Sequence, residues 1–277
     1  MLDDLDSRPG SATSLLRTVV GAFFRDLGGW CAAADLVDLL GDVGVASPSA
    51  RSAISRVKAK GVLEAEESGG RPGYRVAPGA LEMLERGDRR IYGYRQQGEH
   101  DSWCLVSYSV PEPRRDERHR LRRHLQAIGC GAVATGLWIC PGHLTAEVES
   151  ILDDLGLREH ATVFVSGSPR VAGSFVQAAA RWWDLERVAA LHRGFLRSFE
   201  GHLATPVEPR QAFAVYTRAL DLWRPIPYLD PGLPPSALPA DWPGGASLAL
   251  FGHLHATLRT QALDHVRALV APIPSSV

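Results

Sequence analysis

The first part of the chain shows two spacings of apolar residues, one typical of helices and one typical of strands. Apolar side chains recur every three or four positions from Ser14 to Leu27, from about Ala32 to Val43, and again from Ser47, which predicts three helices packed on a core. Ser47 is expected to cap the third helix, with Pro48 in its first turn. The predicted buried stripe of this third helix consists of Ala50, Ala53, Ile54 and Val57.

A β-hairpin is predicted directly after the third helix. Gly61 ends the helix, and apolar residues then alternate with glutamates from Leu63 to Glu66. Gly69-Gly70 supplies a tight turn, and Tyr74 and Val76 resume the alternation on a return strand. Three helices followed by a hairpin predict a winged helix-turn-helix, a DNA-binding arrangement.

The exposed face of the third helix carries side chains that suit contact with DNA. Its short hydroxyl side chains can approach a groove floor closely, and its cations can reach base edges or phosphates. Between Ser47 and Val76 six Lys or Arg stand against three Glu, a net charge of +3, whereas the whole chain carries −1. A basic patch on a nearly neutral chain indicates a local nucleic-acid contact, although an ordinary amphipathic helix with a solvated face is the alternative. The predicted DNA-binding residues are Ser49, Arg51, Ser52, Ser55, Arg56 and Lys58 on the helix, and Arg71, Tyr74 and Arg75 on the hairpin, with both arginines near its tip.

The middle of the chain changes to a mixed pattern. A fourth helix from Ala80 to about Arg86 is followed by a polar stretch, Gln96 to Asp101, which is predicted to be a linker. The next 65 or so residues predict the order βαββαβ, the ferredoxin-like arrangement, with both helices on one face of an antiparallel sheet. Its predicted elements are strand 103–110, helix 114–128, strands 132–134 and 137–140, helix 144–155 and strand 161–165.

The last hundred residues are predicted to be mainly helical. An apolar stripe from Leu185 to Phe199 is preceded by Trp182 and Trp183, and further helices are predicted from Ala212 to Trp223 and from about Ala246 to Val270. The proline-rich segment 224–244 interleaves apolar side chains with its prolines, which favours a packed segment over a flexible linker.

Composition excludes several classes of protein. The 277 residues are 45% hydrophobic, no apolar run approaches the length of a membrane span, and the N-terminus is acidic and polar, so we expect a cytoplasmic protein without a membrane partner. The four cysteines are too widely spaced for a zinc knuckle or disulfide framework and are expected to be packed core residues. His253 and His255 would point apart on a helix and could share a metal only on a strand, so they are expected to be structural and we expect no metal site. Motifs of hydrolases, nucleotide-binding enzymes and metalloproteases are absent, which predicts that the protein is not an enzyme.

Three blocks of sequence resemble one family. They are ARSAISRVKAKGVLE with GRPGYRV and RRIYG, then YSVPEPRRDERHRLRRHLQAIGCG followed by GLWICP, and finally LDPGLPPSALPADWPG. In this order they resemble the PaaX-like transcriptional repressors of phenylacetic-acid catabolism, over nearly the whole chain. One departure is Cys130, where the family pattern has an aromatic residue in a turn, so bulk is removed from a core position or a pocket.

The resemblance implies a fold and a function. It implies an α+β chain with a winged-helix domain at residues 1–93, a ferredoxin-like domain similar to Cas2 at 101–170, and a helical C-terminal domain at 171–277. It also implies a homodimeric repressor that binds double-stranded operator DNA and is released by phenylacetyl-CoA or a related acyl-CoA effector, with no other cofactor. The enzymatic alternative is a metal-dependent nuclease, in which Glu112 after the first strand of the Cas2-like domain would bind Mg²⁺.

The arginine-rich helix of the middle domain is the candidate effector site. A CoA thioester needs converging cations for its phosphates beside an apolar cleft for its acyl group. The same helix has two other interpretations, as a site for DNA phosphate and as a solvated face paired with its own acidic residues. Trp103 and Cys130 are expected beside this cleft, with Trp182 and Trp183 closing it. The predicted effector-binding residues are Arg114, Arg115, Arg118, Arg122 and Trp138.

Overall fold

A computed structural model describes residues 7–202 and 208–270, and the chain divides into two units. The three-stranded unit comprises residues 7–91, with 195–202, 208–224 and 246–270, and the four-stranded unit comprises Tyr92–Gly194 with Pro225–Gly245. Residues predicted to form one C-terminal helical domain therefore belong to both units. The division into three domains, at residues 1–93, 101–170 and 171–277, remains a prediction.

The three-stranded unit begins with the predicted helices and hairpin. Its N-terminal elements are α1 (Ala12–Phe23), a 3₁₀ turn (Phe24–Leu27), β1 (Trp30–Ala32), α2 (Ala33–Asp42), α3 (Ser47–Ala59), β2 (Leu63–Ser68), β3 (Arg71–Val76) and α4 (Pro78–Tyr92). Strand β1 was not predicted from the sequence. It pairs with β3, so that the strand order is β1-β3-β2 and all pairs are antiparallel.

Local signals explain where α3 and the hairpin begin and end. Helix α3 is preceded by Ala46 as its N-cap, without a side-chain hydrogen bond, so the prediction that Ser47 caps it is wrong by one position. Pro48 does occupy the first turn. The hairpin turn holds Gly69 and Gly70 at φ +57° and +72°, a pair of conformations that residues with a Cβ rarely adopt.

The four-stranded unit has the predicted βαββαβ order. Its elements are β4 (Trp103–Tyr108), α5 (Arg115–Ala127), β5 (Gly131–Ala134), β6 (Leu137–Pro141), α6 (Thr145–Asp154) and β7 (Ala161–Ser166). The strand order β5-β6-β4-β7 is antiparallel throughout. Helices α5 and α6 share one core with one face of this sheet, as predicted, through residues such as Val106, Leu121 and Leu152.

The other face of the four-stranded sheet is covered by α7 (Phe175–Trp182) and by part of the proline-rich segment. Trp103 and Ile139 of the sheet share a core with Leu233 and Leu238, which confirms that the segment is ordered and packed. The predicted linker Gln96–Asp101 is mostly exposed, but it is joined to the proline-rich segment, because Gln97 is buried and its backbone N–H donates to Gly232 O at 2.7 Å.

The remaining helices are α8 (Leu185–Phe199), α9 (Pro209–Trp223), the short α10 (Ile226–Leu229) and α11 (Gly244–Leu269). The apolar residues of α8, such as Leu185 and Phe195, are buried within the chain, so they do not supply the exposed apolar surface that would indicate a dimer. All four cysteines are free and buried, as predicted, and burial raises the pKa of the Cys31 thiol to about 12. His253 and His255 lie in α11, where His255 Nδ1 is 2.8 Å from the Tyr216 hydroxyl.

Candidate nucleic-acid interface and effector cavity

Helix α3 presents the predicted polar face to solvent. Its buried stripe is Ala50, Ala53, Ile54 and Val57, as the apolar spacing predicted. The opposite face is exposed at every position that was assigned to DNA, namely Ser49, Arg51, Ser52, Ser55, Arg56 and Lys58. Three cations and three short hydroxyl side chains therefore lie together on one accessible helix face.

The cations on α3 differ in what they contact. Arg56 Nε donates a hydrogen bond to Thr13 Oγ1 at 3.1 Å, which ties it to the start of α1. Within residues 7–202 and 208–270, Arg51 and Lys58 make no hydrogen bond or ion pair. Binding a phosphate or a base through these two side chains would break no contact in the protein.

The hairpin arginines are held by carboxylates that the sequence analysis did not identify. Arg71 donates to Asp35 Oδ1 of α2 at 2.5 Å, and this contact raises the pKa of Arg71. Arg75 forms a two-point ion pair with Glu66 of β2, which lowers the pKa of Glu66. The Glu66 pair follows from the hairpin register, because Glu66 stands opposite Gly73 and thus diagonal to Arg75, whereas no local signal indicates Asp35.

The register also corrects the position of Arg75. It pairs with Trp30 of β1 and Glu64 of β2, five positions beyond Gly70, so it lies at the base of the hairpin and not near its tip. Arg71 directly follows the turn, as predicted, and Tyr74 is half-buried opposite Cys31 and Ala65.

A cavity of about 720 Å³ lies beside the four-stranded sheet, at the predicted effector site. Arg118, Arg122 and Trp138 line it together with Tyr108, Ser109 and Thr135. Arg118 donates two hydrogen bonds to Glu112, both 3.1 Å, while Arg122 is exposed and makes no polar contact within the described chain. The cavity thus combines one paired and one unpaired guanidinium with hydroxyl groups and an indole ring.

Two of the predicted effector residues lie outside this cavity. Arg114 binds Glu117 and Gly156 O and lies 2.8 Å from His160 Nε2, and Arg115 is 70% exposed, with Asp116 at 3.9 Å. The solvated-face interpretation of the helix therefore fits these two arginines and not Arg122.

The predicted aromatic closure of the cleft is wrong, because the aromatic residues lie on opposite faces of the sheet. Trp138 and Cys130 share the core beneath α5, whereas Trp103 and Trp183 belong to the core on the other face, with ring centroids 6.3 Å apart. Trp183 Nε1 donates to Gly129 O at 2.8 Å, which fixes its indole there. Alternation along β4 places Trp103 and Cys104 on different faces.

Glu112, which would bind Mg²⁺ in the nuclease alternative, forms an ion pair instead. Glu112 starts the 3₁₀ turn before α5, where an acid favours the helix dipole, and it binds Arg118. No group of three or more His, Cys, Asp or Glu residues able to hold a metal is found among the residues that the structure describes.

Comparison with protein families gives three matches in chain order. Residues 11–79 match the PaaX-like protein model, residues 96–174 the PaaX protein central Cas2-like domain, and residues 183–268 the PaaX-like protein C-terminal domain. The chain belongs to the PaaX-like family. The middle domain of this PaaX-like protein is therefore Cas2-like, and the C-terminal part is helical, as the sequence predicted.

One curated relative agrees with this membership, and one solved structure shares the fold. The PaaX-like chain is 26% identical to the transcriptional repressor PaaX of Escherichia coli strain K12 over 267 residues, 93% of this chain and 84% of that protein. Its fold is similar to that of the uncharacterized protein Rv0674 from Mycobacterium tuberculosis, with a TM-score of 0.57, 22% identity, and 93% and 99% of the two chains covered. Across the described residues, no helix is long and apolar enough to cross a membrane.

Proposed function

We propose that this PaaX-like protein is a transcriptional repressor that binds double-stranded operator DNA through residues 11–79 as a winged helix-turn-helix. The observation that carries the proposal is the exposed face of α3, where Arg51 and Lys58 are unpaired within the described chain. The proposal is supported by the name of the Escherichia coli relative, a transcriptional repressor. Under this proposal, α3 of this chain enters the major groove. Arg51 and Arg56 read base edges, and Lys58 neutralises phosphate.

The hairpin has a smaller part in this proposal than the helix. Arg71 and Arg75 are 40% and 39% exposed, so a phosphate would share a guanidinium that already binds a carboxylate. We expect the Arg71 ion pair to hold the hairpin against α2 and the Arg75 ion pair to join its two strands, and any DNA contact to come second.

A gel shift on the DNA upstream of the protein's own gene, run with Mg²⁺, tests the proposed function. A repressor retards the labelled DNA and leaves its length unchanged, whereas a nuclease shortens the strands. Retardation that persists on unrelated DNA at the same protein concentration would contradict specific operator binding, because phosphate contacts alone bind all sequences.

The effector in this proposal is an aryl-acyl-CoA, such as phenylacetyl-CoA, and the regulated genes belong to an aromatic-acid catabolic operon. The cavity beside the four-stranded sheet supports the assignment through its chemistry. Arg122 and Arg118 supply cations for the phosphates of CoA, and Trp138 with Tyr108 offers an apolar surface for the acyl group. Release from DNA requires that the ligand bind the free protein more tightly than the DNA-bound protein.

Arg122→Ala is expected to raise the acyl-CoA concentration needed for release from DNA by about tenfold or more, since a hydrogen bond to a charged group contributes about 1.5 to 3 kcal/mol. Arg118→Ala should act in the same direction. The control is Arg115→Ala on the same helix, because its side chain does not line the cavity. Release at the wild-type concentration in both cavity variants would place the effector elsewhere.

The repressor is further proposed to act as a homodimer, because one winged helix neutralises few phosphates at cellular salt. The proposed contact surface is β7, an edge strand that pairs with β4 on one side only within the described chain. It contains no charged residue or proline, and its Phe164 and Val165 are 53% and 63% exposed. Antiparallel pairing with β7 of a second copy would cover this edge.

Phe164→Lys is expected to convert the dimer to a monomer at micromolar concentration, because a buried unpaired charge would oppose strand pairing. Sedimentation velocity measures the result. Leu81→Lys is the control, since Leu81 is also exposed but lies in α4. A wild-type monomer with and without DNA would refute the homodimer.

A further inference from the structure

A second cavity, of about 360 Å³, lies within the three-stranded unit and was not anticipated from the sequence. It lies between the end of α8, the C-terminal half of α9 and the turn that joins α2 to α3. Its volume is at the small end of the range of small-molecule sites, about 300 to 1,000 Å³. Its apolar walls come from Leu15, Val43, Val45, Phe199 and Leu222.

Among the described residues, the charged groups that line this cavity are Arg218 and Asp221. Asp221 is buried and accepts three hydrogen bonds, from the Gly10 N–H at 2.7 Å and from the hydroxyls of Ser14 and Thr18 at 2.6 and 2.9 Å. Arg224 Nε lies 3.5 Å from the same carboxylate and offsets its charge. The negative charge that faces the cavity is therefore already neutralised.

Arg218 has guanidinium N–H donors that are available to a ligand. Its guanidinium donates one hydrogen bond, to Val43 O at 3.1 Å, which is its single polar contact among the described residues. A guanidinium has five N–H donors, and two of them in parallel match the two oxygens of a carboxylate. Apolar walls with one available guanidinium suit a ligand that has one carboxylate and an apolar body.

We propose that this cavity binds a small apolar monocarboxylate, with its carboxylate on Arg218 and its apolar body against Leu15, Phe199 and Leu222. The inference goes beyond the proposed function, because it concerns other residues than the acyl-CoA cavity and a ligand without phosphates. Such a ligand would touch the turn that precedes α3. Arg218 Nη2 lies 3.0 Å from the position that a Cβ at Gly44 would take, so the guanidinium packs directly on this turn.

Calorimetric titration of the full-length protein with benzoate and hexanoate tests the proposal without DNA, so its failure is distinguishable from failure of the proposed repressor function. Both acids are expected to bind, and the neutral amides benzamide and hexanamide at least tenfold more weakly, because they lack the charge that Arg218 requires. Equal binding of acids and amides, or no binding of either acid at millimolar concentration, would overturn the proposal.

Variants locate the site. Arg218→Gln is expected to weaken binding of both acids at least tenfold, and since Arg218 is exposed, the variant should fold as the wild type does. Leu222→Trp, which fills the cavity and keeps the cation, should also abolish binding. The matched control is Arg210→Gln, which removes a cation from the same helix that is bound to Asp42 and does not line the cavity. Wild-type affinity in Arg218→Gln would refute the assignment.

Discussion

Arg51→Ala is expected to weaken operator binding by about 1 to 3 kcal/mol, roughly five- to 150-fold, and to relax sequence preference at one base pair. The size follows from the position of Arg51, which is exposed on α3 and has no partner within the described chain to compete with DNA. Lys58→Ala should instead weaken binding to all sequences alike and reduce the salt dependence, as expected for a phosphate contact.

Fluorescence anisotropy with the operator and with single-base variants, at two or more salt concentrations, measures these effects. Arg86→Ala is the control, because Arg86 is an exposed arginine of the same unit that is bound to Glu82 on α4. Wild-type operator affinity in both Arg51→Ala and Arg56→Ala would exclude α3 as the recognition helix.

Asp221→Ala is expected to destabilise the three-stranded unit by about 3 to 5 kcal/mol, the range for removing one partner of a buried ion pair. The carboxylate is 2% exposed, and three hydrogen bonds join it to residues about two hundred positions away in the N-terminal part of the chain. Its loss removes the carboxylate that lies 3.5 Å from the buried Arg224 Nε and the acceptor for Ser14 and Thr18. The effect should therefore exceed that of any surface ion pair.

Urea unfolding followed by circular dichroism measures the loss, and Asp26→Ala provides the comparison. Asp26 binds Arg259 at 3.0 Å with both side chains at least one-third exposed, so its removal should cost less than about 1 kcal/mol. Equal effects in the two variants would mean that the Asp221 network does not hold α1 to α9.

Local patterns in the sequence determined much of this protein. The spacing of Ala50, Ala53, Ile54 and Val57 determined which face of α3 is buried and therefore which cations are exposed. Strand alternation and glycine turns determined the hairpin and the βαββαβ order of the middle domain. These features are readable because helices and strands impose periods of 3.6 and 2 residues that involve only neighbouring positions.

The tertiary structure alone decided the partners and surroundings of these elements. The unpredicted strand β1 has three residues, too few to show alternation, and exists through its pairing with β3. The ion pair of Arg71 could not be predicted from local spacing, because its partner Asp35 lies 36 positions earlier on α2. Likewise, Gln97 is buried within an otherwise mostly exposed polar stretch, and its backbone N–H donates to the distant Gly232 O.

The two cavities show the same division. The sequence predicted a cleft beside the arginine-rich helix α5, where the structure has a cavity, but the faces of the sheet decided that Trp138 lies beside Arg122 and that Trp103 does not. The cavity at Arg218 had no signal in the sequence at all, because its walls come from α1, from the turn before α3 and from α8 and α9, segments up to about two hundred residues apart. The periodicity of apolar residues indicates which side of a helix or strand is buried. Contacts between remote segments depend instead on how the helices and strands pack, which is seen only in the folded chain.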